Sequence, residues 1–364
     1  MEFYPYPFIY NQIDLDLFPV DSWRECTRQA LGRKKMPIWA SDSVESDSPQ
    51  LVRQLRQLLL NTRSIYAEDD EILITLGSQN ALFILGTIFS HFRKPGALEN
   101  PGFFGARNAF RLAESELVGV PVDGYGISPS QIPKDCQLVF TTLSQQFPTM
   151  ITMAQSRREE LLKAAVEKDF IIIEDDYEAE MNYFSQSSPS MMSMDTTGRV
   201  IYVGSLSKTV SPGIRLGFIV EHRDIIREAR IVRGVMMRHT PTIVQEIVAL
   251  FFQLGHYDSH LRNIERRYQK RWHEMDAALG KHLAMLQRTK SRGGTSFWLK
   301  GPKGFDASDL AVRLRSKGVL IDPGQDYYLN YNEKRDFRLG FASVPVSKLE
   351  DGVKIIAEEV CSML

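Results

Sequence analysis

Short apolar runs alternate with stretches of helical periodicity through the first two thirds of the chain. Between about residues 48 and 235, apolar runs of four to five residues are separated by segments whose apolar positions recur every three or four residues. Continuous apolar runs predict strands buried on both faces, and the amphipathic segments predict helices between them. Repeated β-α units of this kind predict an α/β fold with a mostly parallel central sheet and helices on both faces. The predicted central strands are 72–76, 138–142, 170–173, 200–203 and 216–220.

The pattern changes after about residue 240. Positions 242–254 and 256–282 have helical periodicity and predict two long helices separated by Gly255. After Gly293, shorter runs predict a smaller α+β unit with strands near 296–300, 319–321 and 337–342 and helices at 307–317 and 347–363. We therefore expect an N-terminal segment (1–47) that packs on the small domain, a large domain (48–255), and a linking helix with a small C-terminal domain (256–364).

Composition narrows the class of protein. The chain has 364 residues, of which 43% are apolar and 24% charged, and its net charge of −1 argues against a broad basic surface for nucleic acid. Three scattered cysteines, Cys26, Cys136 and Cys361, are too few for a disulfide framework or a zinc site. No run approaches the ~20 apolar residues of a membrane span, and residues 1–20 do not have the pattern of a secretion signal. These features favour a cytoplasmic location.

The segment GSLSKTVSPG at 204–213 carries the most informative chemistry. Lys208 lies beside Ser205 and Ser207, at the end of an apolar run, and Arg215 follows closely. A lysine amine condenses with aldehydes when its surroundings lower its tendency to stay protonated. Arg215 and the two serines are suited to hold a phosphate dianion. An aldehyde that carries a phosphate is pyridoxal 5′-phosphate (PLP), which also requires an acid partner at its pyridine nitrogen.

An apolar strand that ends in acids and a phenol supplies such a partner. The run FIIIEDDY at 170–177 places Glu174, Asp175, Asp176 and Tyr177 at the carboxyl end of a predicted parallel strand, where α/β proteins bind ligands.

Other interpretations of these residues stay open. Lys208 could be a solvated surface lysine, and the acids at 174–176 could bind a metal ion. Ser205 to Lys208 also fits the Ser-x-x-Lys pattern of penicillin-recognising hydrolases, although the accompanying Ser-Asp-Asn and Lys-Thr-Gly elements are absent from the chain. His256 and His260 lie four residues apart in a predicted helix, but without an evident third ligand we expect no metal site there.

Taken together, the spacing of these motifs resembles the fold type I PLP-dependent aminotransferases, and in particular the aminotransferase-like domain of MocR/GntR-type bacterial regulators. The resemblance covers nearly the whole chain. A finer similarity links segments 293–298 and 318–324 to regulators of ectoine breakdown. The supporting segments are NQIDLDLFP at 11–19, GSQ at 77–79, NPGF at 100–103, GAR at 105–107, QFPT at 146–149 and FRLGF at 337–341.

The resemblance implies a role for each matching residue. Lys208 would form the Schiff base with PLP, Asp175 would pair with the pyridine nitrogen, and Tyr177 would bond the ring hydroxyl. Phe103 would stack on the ring, and Arg338 would bind the carboxylate of an amino acid, although it could instead only bridge surface carboxylates. The phosphate would be held by Gly77, Ser78, Gln79, Ser205, Ser207 and Arg215.

The chain also departs from the family pattern. Phe147 and Met150 replace the asparagine and glycine of the usual Asn-Pro-Thr-Gly motif, and Gln145 stands where these regulators often have histidine. Phe103 stands where the family commonly has tyrosine, so the hydroxyl is lost.

Two functions agree with these residues. The first is an autonomous aminotransferase that transfers the amino group of an amino acid. It is favoured by a chain that starts at Met1 and leaves no room before Phe8 for a winged-helix DNA-binding domain. The second is the effector-sensing domain of a MocR-type regulator, which would bind PLP and an amino-acid-like ligand as an external aldimine without turnover. In both cases the resemblance implies a homodimer.

Overall fold

Two β-sheets organise the protein. The computed structural model describes residues 4–9, 12–90, 94–184, 189–330 and 333–364. The larger sheet has eight strands in the order β2-β9-β8-β7-β6-β3-β4-β5, and the smaller has five in the order β1-β12-β13-β11-β10. The strands are β1 Tyr6–Phe8, β2 Ile72–Thr75, β3 Gly96–Asn100, β4 Leu117–Asp123, β5 Gly126–Ile127, β6 Leu138–Thr141, β7 Ile171–Asp175, β8 Val200–Ser205, β9 Gly217–Val220, β10 Gln287–Arg288, β11 Ser296–Lys300, β12 Val319–Pro323 and β13 Asp336–Gly340.

The centre of the larger sheet is parallel, as predicted. Strand β3 pairs in parallel with both β4 and β6, and the parallel pairing continues through β7 to β8. Strand β9 runs antiparallel to β8 and β2, which the apolar pattern alone did not indicate. Because β7 and β8 are parallel neighbours, their carboxyl ends lie at the same edge of the sheet.

Helices cover both faces of the larger sheet. Successive residues of a strand point to opposite faces, so Ile172 and Ile173 of β7 are buried in separate apolar clusters. Burying one such side chain stabilises the fold by ~1.5–3 kcal/mol. The helices are α1 Val20–Ala30, α2 Met36–Trp39, α3 Pro49–Gln54, α4 Ser78–Ser90, α5 Phe104–Leu112, α6 Gln155–Lys168, α7 Met191–Met194, α8 Arg223–Met237, α9 Thr242–Gln253, α10 His256–His282, α11 Ala307–Arg315 and α12 Val346–Met363.

The N-terminal segment contacts both sheets. Strand β1 pairs in parallel with β12 of the smaller sheet, with Phe8 opposite Ile321. In contrast, Trp23 of α1 packs edge-on against Phe251 of α9, with the ring centroids 5.8 Å apart, in a cluster that also contains β2 and β9 side chains. The predicted domain bounds themselves stay a prediction, and Asn11, where the first similar segment begins, lies outside the described residues.

The smaller sheet has its own core. Its strands pack with α10, α11 and α12 around buried aromatic and aliphatic side chains such as Phe297, Phe337 and Leu310. The predicted strands and helices after Gly293 are all present, with bounds that differ by at most a few residues. None of the helices in the described part of the chain combines the length and apolarity that a membrane span requires.

Candidate active site

A cavity of about 260 Å³ lies where the carboxyl ends of β7 and β8 meet the amino end of α4. It brings together residues that are up to 137 positions apart in sequence, from Ser78 to Arg215. Nine of the eleven predicted site residues line it, and Thr142, Phe104 and Phe147 complete the wall. The predicted residues in the lining are Ser78, Gln79, Phe103, Asp175, Tyr177, Ser205, Ser207, Lys208 and Arg215.

Lys208 lies in the turn after β8 and is buried, with 8% of its surface exposed. Its Nζ atom is 3.7 Å from Oε1 of Glu178. Burial lowers the pKa of Lys208, the nearby Glu178 carboxylate opposes this effect, and the charge of Arg338 adds to it. The alternative of a solvated surface lysine is therefore wrong, and the amine is in the kind of environment that makes lysine reactive.

Asp175 is the last residue of β7 and is only 2% exposed. Its Oδ1 atom is buried and has no hydrogen-bond partner among the described residues. Burial, and to a lesser degree the charges of Asp176 and Glu99, raises the pKa of Asp175 to about 8. A buried carboxyl oxygen without a partner is costly. This oxygen fits a ligand that offers a ring nitrogen, and PLP has such a nitrogen.

The two neighbouring acids point elsewhere. Glu174 accepts hydrogen bonds from the backbone N–H groups of Met191 and Met192, at 2.9 and 3.0 Å. Asp176 forms a buried ion pair with Arg63, with 2.5 Å between Nη2 and Oδ2. Of the three consecutive acids, only Asp175 lines the cavity. This arrangement does not support the alternative of a metal ion bound by residues 174–176.

The opposite end of the cavity forms a cradle for an anion. Gly77 has a φ of +79°, and helix α4 begins at Ser78, so the backbone N–H groups of a first helical turn point toward the cavity. The Arg215 guanidinium covers Gly77 and donates a hydrogen bond from Nη2 to the carbonyl of Leu76 at 2.9 Å. A Cβ on Gly77 would lie 2.8 Å from the Arg215 Nη2, so only glycine leaves this space to the arginine. Helix N-termini and arginines are common partners of phosphate.

An aromatic wall closes one side. The rings of Phe103 and Phe147 meet edge-on, with centroids 5.2 Å apart, and Phe147 also meets Tyr177 at 6.0 Å. Phe147, which replaces the asparagine of the family motif, thus contributes an apolar face instead of an amide. The Thr142 hydroxyl accepts a hydrogen bond from the Phe147 backbone N–H at 2.9 Å and donates to Glu99 at 2.7 Å. Thr142 and Phe104 were not predicted as site residues, because neither belongs to a motif.

Arg338 lies on the small sheet beside this wall. It is 1% exposed and lies over the Phe147 ring, with Cζ 5.3 Å from the ring centroid. Its Nη1 atom is 3.3 Å from Oδ2 of Asp322, the residue directly opposite on β12. The alternative of an arginine that bridges surface carboxylates is therefore wrong. Arg338 is not part of the cavity lining, although its charge influences Lys208.

Glu178 is a further residue of the site that the sequence did not indicate. It is 1% exposed, lies beside Lys208, and accepts a 2.6 Å hydrogen bond from the Thr295 hydroxyl. In sequence it is one more acid after Tyr177. Its contacts come from positions 30 and 117 residues away, so no local pattern could have identified it.

Comparisons with known proteins agree with this geometry. The family model described as aminotransferase class I and II matches residues 14–356. The chain is 39% identical over 355 residues to TauR of Rhodobacter capsulatus, a MocR/GntR-type transcriptional regulator, and the match covers 97% of this chain and 73% of the regulator. It is 29% identical to aromatic-amino-acid aminotransferase 1 of Thermococcus litoralis, over 95% of this chain and 85% of that protein.

A solved structure gives the same result for the fold. The kynurenine aminotransferase of Pyrococcus horikoshii, in complex with PMP, superimposes with a TM-score of 0.91 and 28% sequence identity. The match covers 98% of this chain and 91% of that one. The predicted fold type I architecture is thereby confirmed.

Proposed function

The chain belongs to the aminotransferase class I and II family, and we propose that it binds PLP on Lys208 and transfers the amino group of an amino acid. The observation that carries the proposal is the buried Oδ1 of Asp175, which has no hydrogen-bond partner among the described residues and lies in the cavity that also holds Lys208. The relative of known structure binds PMP, the aminated form of the same cofactor. Both the cofactor and its chemistry therefore agree with the residues that line the cavity.

The cavity residues fit the parts of PLP. Asp175 would bond the pyridine nitrogen, Tyr177 the ring hydroxyl, and Phe103 would cover the ring face. The amino end of α4 and Arg215 would hold the phosphate through N–H donors and charge. The remaining phosphate partners in this proposal are Gly77, Ser78, Gln79, Ser205 and Ser207.

When bound, PLP supplies an aldehyde that condenses with amines and a protonated ring that withdraws electrons from the substrate. Lys208 would hold the cofactor and then, as a neutral amine, move a proton from the substrate Cα. Because the pKa of Asp175 is raised, its carboxyl in the cofactor-free protein carries a proton that it would share with the ring nitrogen. Arg338 would orient the substrate by its carboxylate, and Phe103, Phe104 and Phe147 would exclude water from the reacting atoms.

The second candidate is a sensor domain without turnover. The observation in its favour is the 39% identity to the regulator TauR, which exceeds the 29% identity to the aromatic aminotransferase. A sensor needs the same cavity, since it also binds the cofactor and an amine. The two functions differ only in whether the amino group is transferred. The finer assignment to ectoine-type regulators stays a prediction.

One spectroscopic experiment tests both candidates. PLP is added to wild-type protein and to Lys208→Ala, and absorption spectra are recorded while single amino acids are added. We expect a visible band from the lysine-bound cofactor in wild type only, and its absence in wild type would contradict the cofactor proposal. Conversion to PMP with release of a keto acid would establish an aminotransferase. A spectral change that stops without keto acid would instead establish the sensor.

We also propose that the protein is a homodimer, as is typical of the family. Exposed apolar side chains on α8 support this proposal: Ile231 is 57% exposed and Val235 is 86% exposed. Light scattering of the purified protein measures the mass directly. A monomer mass at micromolar concentration would contradict the proposal.

A further inference from the structure

Glu178 has no part in the roles above, yet its carboxylate forms an ion pair with Lys208. It follows Tyr177 in the segment that leaves β7, and it is 1% exposed. Its Oε1 atom lies 3.7 Å from the Lys208 Nζ, while Oε2 is buried and has no hydrogen-bond partner among the described residues. Two opposite charges this close and this deeply buried stabilise each other strongly, since little water screens them.

The second sheet holds Glu178 in place. Thr295, which precedes β11, donates its hydroxyl hydrogen to Oε1 of Glu178 at 2.6 Å. The backbone nearby is fixed as well: the Gly294 N–H donates to the Met181 carbonyl at 2.7 Å, and the Tyr183 hydroxyl donates to the Gly294 carbonyl at 3.1 Å. Contacts between the two sheets therefore hold the carboxylate beside Lys208 and fix the conformation of the Glu178 side chain.

The other charges around Lys208 act in both directions. Arg338 from β13 disfavours the ammonium form, and Asp322 from β12 favours it. Asp322 is itself paired with Arg338, at 3.3 Å, which reduces its effect on Lys208. Asp175 and Arg215 line the same cavity. Glu178 forms an ion pair with Lys208, and it is the main influence that opposes the lowering of the Lys208 pKa by burial.

We propose that Glu178 is a positioning residue: in the cofactor-free protein it holds the Lys208 nitrogen as an ammonium ion and so sets the pH at which this nitrogen can react. The inference rests on the proposed cofactor function. The ammonium must first give one proton to water. The neutral amine then adds to the aldehyde carbon, and one water molecule leaves as the carbon–nitrogen double bond forms. Glu178 acts on the first of these steps only.

The test is the rate at which cofactor-free protein takes up PLP, measured by absorption across a range of pH. Glu178→Gln keeps the shape of the side chain and removes its charge, so the pH profile should move ~1–3 units lower. Glu178→Asp keeps the charge and should return the profile toward that of wild type. A purely structural role would change the stability and leave the midpoint of the profile unchanged.

Glu180→Gln is the matched control. Glu180 lies two residues further along the same segment, and burial, together with the charge of Asp176, raises its pKa to about 7. It thus ionises in the range of the experiment, but Lys208 is not among the charges that influence it. Its profile should coincide with that of wild type. A folded Glu178→Gln protein with the wild-type profile would overturn the proposal, and so would an equal shift in Glu180→Gln.

A second measurement needs no cofactor. In Lys208→Met, Glu178 is left buried without the counter-charge of Lys208, and an unpaired buried charge destabilises the folded state. Adding Glu178→Gln removes that charge, so the double variant should be more stable than Lys208→Met. Melting temperatures of the two variants at neutral pH measure the difference. A double variant that is no more stable than Lys208→Met would contradict the pairing. If wild type takes up no PLP, the cofactor proposal fails, while these melting curves still decide the role of Glu178.

Discussion

Arg338 and Asp322 stand directly opposite each other on β13 and β12, and they form an ion pair with 3.3 Å between Nη1 of the arginine and Oδ2 of the aspartate. The guanidinium is a planar fork, so one partner can fix its plane while a ligand carboxylate binds another edge. We expect Arg338→Gln to weaken binding of an α-amino acid to the PLP-loaded protein by roughly 10- to 150-fold, because charge-assisted hydrogen bonds contribute ~1.5–3 kcal/mol. Titration followed by absorption measures this affinity.

The matching amine without a carboxylate serves as the control ligand. Arg338→Gln should weaken binding of the amino acid but leave the affinity for the amine nearly unchanged. Arg335→Gln, a change just before β13 at a residue paired with Glu333, should affect neither ligand. An equal loss for both ligands in Arg338→Gln would mean that the arginine supports the cavity and does not recognise carboxylate.

The buried carboxyl of Asp175 should make the stability of the cofactor-free protein depend on pH. Burial raises its folded pKa to about 8, above the usual aspartate value, so the folded protein binds this proton more tightly than the unfolded chain does. Its contribution is therefore present below the unfolded pKa and is lost as pH rises from about 4 to about 8. Asp175→Asn should stabilise the cofactor-free protein by ~1–3 kcal/mol at pH 8 and make little difference at pH 5. Urea unfolding at the two pH values measures this change.

The same variant should bind PLP more weakly, because asparagine cannot share a proton with the ring nitrogen in the same way. Glu221→Gln separates the two effects. Burial raises the pKa of Glu221 to about 7, and this residue is not part of the cavity lining. The Glu221→Gln protein should show a similar pH-dependent gain in stability, and its affinity for PLP should be unchanged. If Asp175→Asn bound PLP as tightly as wild type, the pairing with the ring nitrogen would be wrong.

Gly77 and Gly198 form a matched pair for the anion cradle. Both have positive φ, +79° and +68°, so alanine should cost each about 1 kcal/mol of stability. A Cβ at Gly198 meets no atom of the described part of the chain within 4 Å, whereas at Gly77 it meets Nη2 of Arg215 at 2.8 Å. Gly77→Ala should therefore also displace the guanidinium and weaken binding of PLP, with little effect on pyridoxal, which lacks the phosphate. Equal PLP affinity in the two alanine variants would contradict the proposed phosphate site.

The sequence predicted those site residues that lie at or just after the end of an apolar run, because such a run identifies a buried strand. Asp175 and Lys208 each terminate or follow an apolar run, and parallel strands place both at one edge of the sheet. The choice of Asp175 among three consecutive acids depended on the family resemblance. The structure supports that choice, because alternation along β7 sends Glu174 to the other face.

Other features depended on contacts between residues that are far apart in the sequence. The position of Glu178 depends on Thr295, 117 residues later. The antiparallel direction of β9 depends on how the chain returns after the turn that contains Lys208, and an apolar run has no direction. Trp23 packs against Phe251 of α9, a residue 228 positions later in the sequence. In each case tertiary packing selects one of several arrangements that the local pattern allows.

The backbone of Arg215 has a consequence for how this site is maintained. Its φ is +51°, in the left-handed region that costs a non-glycine residue about 1 kcal/mol or more. The residue is exposed, and its side chain donates one hydrogen bond, to the Leu76 carbonyl, so little packing energy offsets this strain. Glycine at this position would fold about as well, once its greater freedom in the unfolded chain is counted. A library of variants selected for thermal stability alone should therefore lose Arg215, whereas a library selected for retention of PLP should keep it. Selection for folding does not preserve this arginine, and selection for binding of the phosphate does.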